Sequence, residues 1–308
     1  MPSEENPLDK NFSLIQPQPD VFRFTNLWSS GAQSRKAAYG GLIMAQAMCA
    51  ADETAPTQLK AHCVQVFYVT NAHTDRPIDC VVERVFDGRS FATRTVNQRQ
   101  DGRTTLNMQI SYHAVEPDSC VHQSEMPNVK GPEECEEADF DVVFDDDGNE
   151  TIHKDIQPAA HGFVVPNERV YPFHFRIVDL DALLGKTEVI PKCHYMWTKF
   201  KFPIAKDADR LHRAALLFIS DLGLTVSSYR PHNRNGFKFS MNFSLNHSVH
   251  FHVPVFDASD WILMEFESTK SKNARSITRA RYWNRQGELI ATVCQESLIR
   301  SRGPVSRL

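Results

Sequence analysis

Residues 242–252 read NFSLNHSVHFH, a serine (Ser244) followed by three histidines (His247, His250 and His252) within six positions. Three histidines could hold a metal ion, a serine beside a histidine could form an activated nucleophile, and a strand needs neither. In a regular strand His250 and His252 share one face while His247 falls on the other. No carboxylate at suitable spacing completes a ligand set around them. The nucleophile elbow G-x-S-x-G does not occur in the chain. His247 lies three positions after Ser244, which in a regular strand sends their side chains to opposite faces. The stretch is therefore expected to be a strand whose chemistry, if any, depends on residues elsewhere.

Two segments are apolar on nearly all sides, GGLIMAQAMCAAD (40–52) and RLHRAALLFISDLGL (210–224). Helices of that kind must be wrapped by other structure rather than lie on a surface. Each is followed by runs rich in β-branched and aromatic residues, such as FATRTVNQ and LNMQISYH, then ILMEFEST, SITRARYW and LIATVCQES. The halves also match at a constant offset of 185. His62 corresponds to His247, Val64 to Val249, Thr93-Arg94 to Thr278-Arg279, and Gly102 to Gly287. Each of these glycines sits in a hairpin signal, QDGR or RQGE. Between the halves, 131–157 carries a heavy acidic bias and reads as a solvated linker or long loop. The expected architecture is α+β, a tandem duplication with one buried helix and one long antiparallel sheet per half. Its divisions are 1–130, a linker 131–157, and 158–308.

The 308 residues are 41% hydrophobic, 23% charged and 10% aromatic, the composition of a globular protein with a sizeable core. A net charge of −4 gives no reason to expect nucleic acid or an anionic membrane as partner. No apolar run reaches the length of a membrane span, and the polar N-terminus MPSEENPLDK lacks a signal peptide's apolar stretch. A soluble protein that is not exported is expected. Seven scattered cysteines without a C-x-x-C pair fit reduced, mostly buried thiols rather than a zinc site. The last three residues, Ser306, Arg307 and Leu308, differ from the peroxisomal address Ser-Lys-Leu only by Arg for Lys. Gly303-Pro304 just before them should free the tail from the fold, so the peroxisomal matrix is the expected location, with an import receptor as partner.

Several segments resemble the type II acyl-CoA thioesterases, the double-hotdog thioester hydrolases. In the first half these are YGGLIMAQAMCAA, DRPIDCVVERVFDGRSFATRTVNQRQDG and HAVEPDSCVHQ. In the second they are FISDLGLTVSSYRPH, FSLNHSVHFHVPV and the long run from Trp261 to Arg300. With the tail, the resemblance is to a peroxisomal member. It implies a tandem hotdog fold, hydrolysis of fatty acyl-CoA without metal or other cofactor, and a catalytic trio of Asp221, Ser244 and Gln295. It also leaves room for a homo-oligomer, since exposed hotdog sheets often pair. Two positions depart from the family pattern: Asn246 stands where an acid is usual, and Leu42 where Gln is frequent.

The chemistry needs a nucleophilic water, a donor for the carbonyl oxygen, and room for an acyl chain. A partly buried Asp221 at a helix C-terminus would be a stronger base, and neutral Ser244 and Gln295 could orient the water. A lone aspartate at a helix end can also simply bind nearby amides. Subtracting 185 places Lys36, Leu59 and Ile110 opposite the trio, which implies one active site per chain, with walls from the first half. Gly40-Gly41 at a helix N-terminus could present N–H groups to the thioester oxygen, or could merely permit close packing. Lys272, Arg275, Arg279 and Arg281 could meet coenzyme A phosphates or form a solvated face. The rival functions are an enoyl-CoA hydratase, whose Asp/His pair would have to be Asp147 and His153, and a non-catalytic acyl-CoA-binding module.

Overall fold

Thirteen residues, mostly with small or apolar side chains, Gly40–Asp52, form the helix around which the first half is built. Leu42, Met44 and Met48 have no exposed surface, and burying each contributes about 1.5–3 kcal/mol. Alanines at 45, 47, 50 and 51, all fully buried, let the surrounding strands approach closely. The one long polar side chain at its centre, Gln46, donates through Nε2 to the backbone carbonyls of Asn11 and Asn26.

The computed structural model describes residues 7–29, 36–137, 142–144, 150–152, 172–183, 187–189, 191–235, 237, 239–303 and 305–306. The first half contains α1 (Pro7–Phe12), β1 (Ile15–Gln18), β2 (Val21–Phe24), α2 (Gly40–Asp52), β3 (Leu59–Tyr68), β4 (Ile78–Asp87), β5 (Phe91–Gln100) and β6 (Arg103–Ala114). A two-stranded ribbon, β7 (Val142–Phe144) with β8 (Glu150–Ile152), follows. The second half contains β9 (Phe173–Ile177), α3 (Leu180–Leu183), β10 (Cys193–Phe200), α4 (Asp209–Ser220) and α5 (Leu224–Tyr229). It ends with β11 (Phe239–Phe251), β12 (Ile262–Lys272), β13 (Arg275–Asn284) and β14 (Leu289–Ser301).

Twelve strands form one antiparallel sheet in the order β1-β2-β4-β5-β6-β3-β11-β14-β13-β12-β10-β9. The halves meet at β3 and β11, where Val64 lies directly opposite Val249. These two valines are also partners at the offset of 185, so the repeats face each other across a local two-fold at this seam. Each half wraps its own helix, and α2 packs against α4, giving a double hotdog. The expected hairpins form, with Asp101-Gly102 and Gly287 at positive φ in their turns. Among the described residues no helix is long and apolar enough to cross a membrane.

Two expectations need correction. The apolar helix expected over 210–224 stops at Ser220, because Gly223 adopts φ +85 and breaks it before α5 begins. The start of the acidic stretch is not a solvated linker. Trp197 donates to the Lys130 carbonyl at 2.9 Å, and Arg176 to that of Pro132 at 2.6 Å. Cys135 is buried with Trp197, Trp261 and Trp283. Glu133 pairs with Arg285, and Glu137 with His174. Composition does not distinguish acids facing water from acids that meet cations on another element. Most of 138–157, including Asp147 and His153, lies outside the described residues.

Candidate active site

Asp221 caps the C-terminus of α4, held there by the break at Gly223. The helix α2 runs antiparallel to α4, so its N-terminus meets that carboxylate. A methyl built on Gly41 would lie 2.2 Å from the Phe218 carbonyl oxygen, and one on Gly40 would lie 2.7 Å from Asp221 Oδ2. Gly41 is therefore required by the close approach of the two helices, while Gly40 leaves room for the Asp221 carboxylate and the Tyr68 hydroxyl. The Gly41 N–H lies beside the Asp221 carboxylate and favours its charged form. Burial raises the Asp221 pKa above the ordinary carboxylate value, while His247, the Ser244 hydroxyl and the Gly41 N–H each pull it back. A base of intermediate strength results.

Ser244 Oγ donates to Asp221 Oδ1 at 2.9 Å, so two of the three expected residues are in direct contact. The third, Gln295, is fully buried and lies behind them rather than on the cleft wall. Its Oε1 lies 2.7 Å from His247 Nδ1, and its Nε2 donates to Ser297 Oγ at 3.2 Å. His247 Nε2 in turn lies 2.9 Å from Ser220 Oγ, one residue before Asp221. His247 thus joins Gln295 to the end of α4, and burial lowers its pKa against the opposing pull of Asp221.

Regular strand geometry would have excluded this contact. The strand β11 carries a bulge between Ser244 and Asn246, where Leu245 is the extra residue opposite β14. Before the bulge the inward positions are 242 and 244; after it they are 247, 249 and 251. Ser244 and His247 therefore share a face, contrary to the expectation. Asn246 braces the bulge, exchanging hydrogen bonds with the Glu296 side chain at 3.1 Å and its N–H at 3.3 Å. Leu42, the other departure, is a core residue. His250 is exposed and His252 bonds to Thr292, both on the opposite face. His62 does not repeat the role of His247. It is the bulge residue of β3, half-buried, with Nε2 2.8 Å from Ser111 Oγ.

The counterpart of Asp221 in the first half is also not the Lys36 that a fixed offset implies, because α2 and α4 do not keep the spacing of the strands. The residue ending α2 is Asp52, which accepts from the Tyr112 hydroxyl at 2.9 Å. Burial, opposed by Arg210, raises its pKa to about 6. Facing it is the start of α4, where Lys60 pairs with Asp209 in place of a glycine pair. The cleft is at the other end, beside Asp221. It measures about 290 Å³ and is lined from the first half by Gly40, Tyr68 and Val69, and from the second by Asp221, Thr225 and Ser244.

The cations suggested for coenzyme A do not line this cleft. Arg275 pairs with Glu296 at 2.9 Å and Arg281 with Glu265 at 2.8 Å, while Arg279 on β13 and Lys272 on β12 are exposed. Ser306 is not free either, since its hydroxyl lies 3.0 Å from His232 Nδ1. Arg307 and Leu308 lie outside the described residues.

The family model for the acyl-CoA thioesterase N-terminal domain matches residues 28–113, and that for the C-terminal domain matches 157–299. The acyl-coenzyme A thioesterase 8 of Rattus norvegicus is 30% identical over 292 residues, 93% of this chain and 87% of that protein. An acyl-CoA thioesterase 2 of Haemophilus influenzae is 28% identical over 263 residues, covering 85% and 87%. Among solved structures, an acyl-CoA thioesterase II from Mycobacterium marinum superposes with a TM-score of 0.74 at 24% identity over 96% of this chain and 99% of that one. A hot dog protein from Alicyclobacillus acidocaldarius gives 0.73 at 17% identity, over 98% and 100%. The chain belongs to the acyl-CoA thioesterase family and is an enzyme that hydrolyses acyl-CoA thioesters.

Proposed function

We propose that Asp221 is the general base of this hydrolysis, that Ser244 orients the water, and that Gln295 positions both through His247 and Ser297. The observation that carries this reading is the 2.9 Å hydrogen bond from Ser244 Oγ to Asp221 Oδ1 at the cleft wall. With its proton donated to the carboxylate, the serine offers lone pairs that accept from a water. The other O–H of that water points to Asp221 Oδ2, beside the space left by the missing Gly40 side chain. Asp221 takes the proton as the water attacks the acyl carbon, and the departing thiolate recovers it. In this reading 1–130 and 158–308 are duplicated domains joined by 131–157. The first supplies walls and the second the base and the water-orienting serine. A hydratase would need Asp147 and His153, which lie outside the described residues. A binding module would have no use for a serine and an aspartate in contact at the cleft wall.

The test is thiol release from acyl-CoA thioesters of graded chain length. Wild type is expected to be active on part of the panel, and Ser244→Ala to lose about 10²-fold in kcat through misplacement of the water. Silence on every thioester, or a fully active Ser244→Ala, would end the proposal.

We also propose the peroxisomal matrix as the protein's location, on the strength of Ser306-Arg307-Leu308. Because Ser306 bonds to His232, an import receptor has to compete with that contact. Deleting residues 306–308 is expected to leave a fluorescently tagged protein in the cytosol; unchanged localisation contradicts the reading.

A further inference from the structure

Thioester hydrolysis builds negative charge on the carbonyl oxygen, and the groups considered so far leave that charge unattended. The Gly41 N–H lies beside the Asp221 carboxylate and favours its charged form. Gln295 is buried behind the site with both ends of its amide engaged. Ser244 donates its proton to Asp221. Among the hydroxyls that line the cleft, that of Tyr68 at the end of β3 shares the space at Gly40 with Asp221.

Its position is given by the space at Gly40. A methyl there would lie 2.7 Å from Asp221 Oδ2 and 3.2 Å from the Tyr68 hydroxyl. The two oxygens are thus less than roughly 6 Å apart, a span that substrate atoms hydrogen-bonded to either can fill. The hydrogen bond found for the Tyr68 hydroxyl among the described residues is to Met44 Sδ at 3.8 Å, and a thioether is a weak acceptor. Burial, reinforced by the Asp221 charge, keeps the phenol protonated well beyond its usual range, so it remains a donor wherever Asp221 is a base.

We infer that Tyr68 is a further catalytic residue, donating its O–H to the thioester carbonyl oxygen and to the oxyanion formed from it. The inference rests on Asp221 as the base. Water oxygen forms the bond to the acyl carbon while its proton passes to Asp221. The carbonyl electron pair moves onto the oxygen held by Tyr68. When that pair returns, the C–S bond breaks, and the thiolate takes the proton from Asp221. The donor therefore comes from the first half and the base from the second, which makes the site incomplete in either half alone.

The experiment compares Tyr68→Phe and Asp221→Asn with wild type in kcat and KM. Affinities are also measured for two inert ligands, S-(2-oxoalkyl)-CoA, which keeps a carbonyl, and S-alkyl-CoA, which has none. Tyr68→Phe is expected to lose about 10²-fold in kcat with KM within about threefold, as for removal of one oxyanion donor. It should bind the ketone more weakly and the alkyl ligand equally well, a difference that a purely structural tyrosine would not produce. Wild-type kcat in Tyr68→Phe beside a silent Asp221→Asn would overturn the role of Tyr68 alone. An active Asp221→Asn would overturn the base and this inference together.

Discussion

Asp221→Asn is expected to lower kcat about 10³-fold, within the range a positioned general base supplies. The substitution keeps the shape of the side chain and an oxygen able to accept from Ser244 Oγ, 2.9 Å away in the wild type. What it removes is the capacity to take a proton. The fold should not suffer. Because burial raises the folded pKa of Asp221 above its ordinary value of 3.8, ionising it opposes folding. The sign follows: the acid costs nothing while protonated in both states, and the cost grows as pH rises from 3.8 through the raised folded value. At neutral pH the neutral amide escapes that cost, so the variant should melt at or above the wild-type temperature. Loss of activity together with a lower melting temperature would point to a structural aspartate instead.

His247→Leu should affect both stability and pH dependence. His247 is 1% exposed, and leucine fills a similar volume, so cavity effects are small. Gln295 Oε1 loses its imidazole partner, a buried vacancy that costs about 1–3 kcal/mol. The electrostatic effect has a definite direction. His247 holds the Asp221 pKa down, second only to burial among the influences on it. Without the imidazole the carboxylate pKa rises further, and the acid limb of the pH–kcat/KM profile moves to higher pH. Thermal melts and a pH–rate profile together decide between two roles. Lost stability with an unmoved acid limb would make His247 a core filler.

Much of the fold was legible because its signals are local. The all-round apolar pattern of 40–52 could only be a wrapped helix, and the Asp101-Gly102 turn declares its hairpin in two residues. The duplication was readable because the seam strands keep one offset, with Val64 and Val249 as partners. The helices do not keep it, which is why Lys36 stood where Asp52 belongs. The Asp221 and Ser244 positions came from resemblance, and their contact follows from where Gly223 ends α4. What stayed hidden depends on long-range geometry. The extra residue Leu245 inverts the parity of β11 and turns His247 inward, and no local rule marks where a bulge falls. The proximity of Tyr68 to Asp221 crosses the two halves and is set by how closely Gly41 lets α2 approach α4 and by the room left at Gly40. The pairing of Arg275 and Arg281 with glutamates on neighbouring strands was equally out of reach of charge counting.

The central claim is that water, activated by Asp221, attacks the thioester directly. The Ser244 hydroxyl points at the same carboxylate, so the alternative is a covalent acyl-serine. Rapid quenching of wild-type enzyme during turnover, followed by intact-protein mass spectrometry, separates the two routes. The account predicts unmodified protein at every time point and thiol release without an initial burst. An adduct of acyl mass on Ser244, formed and consumed at the rate of turnover, would contradict it.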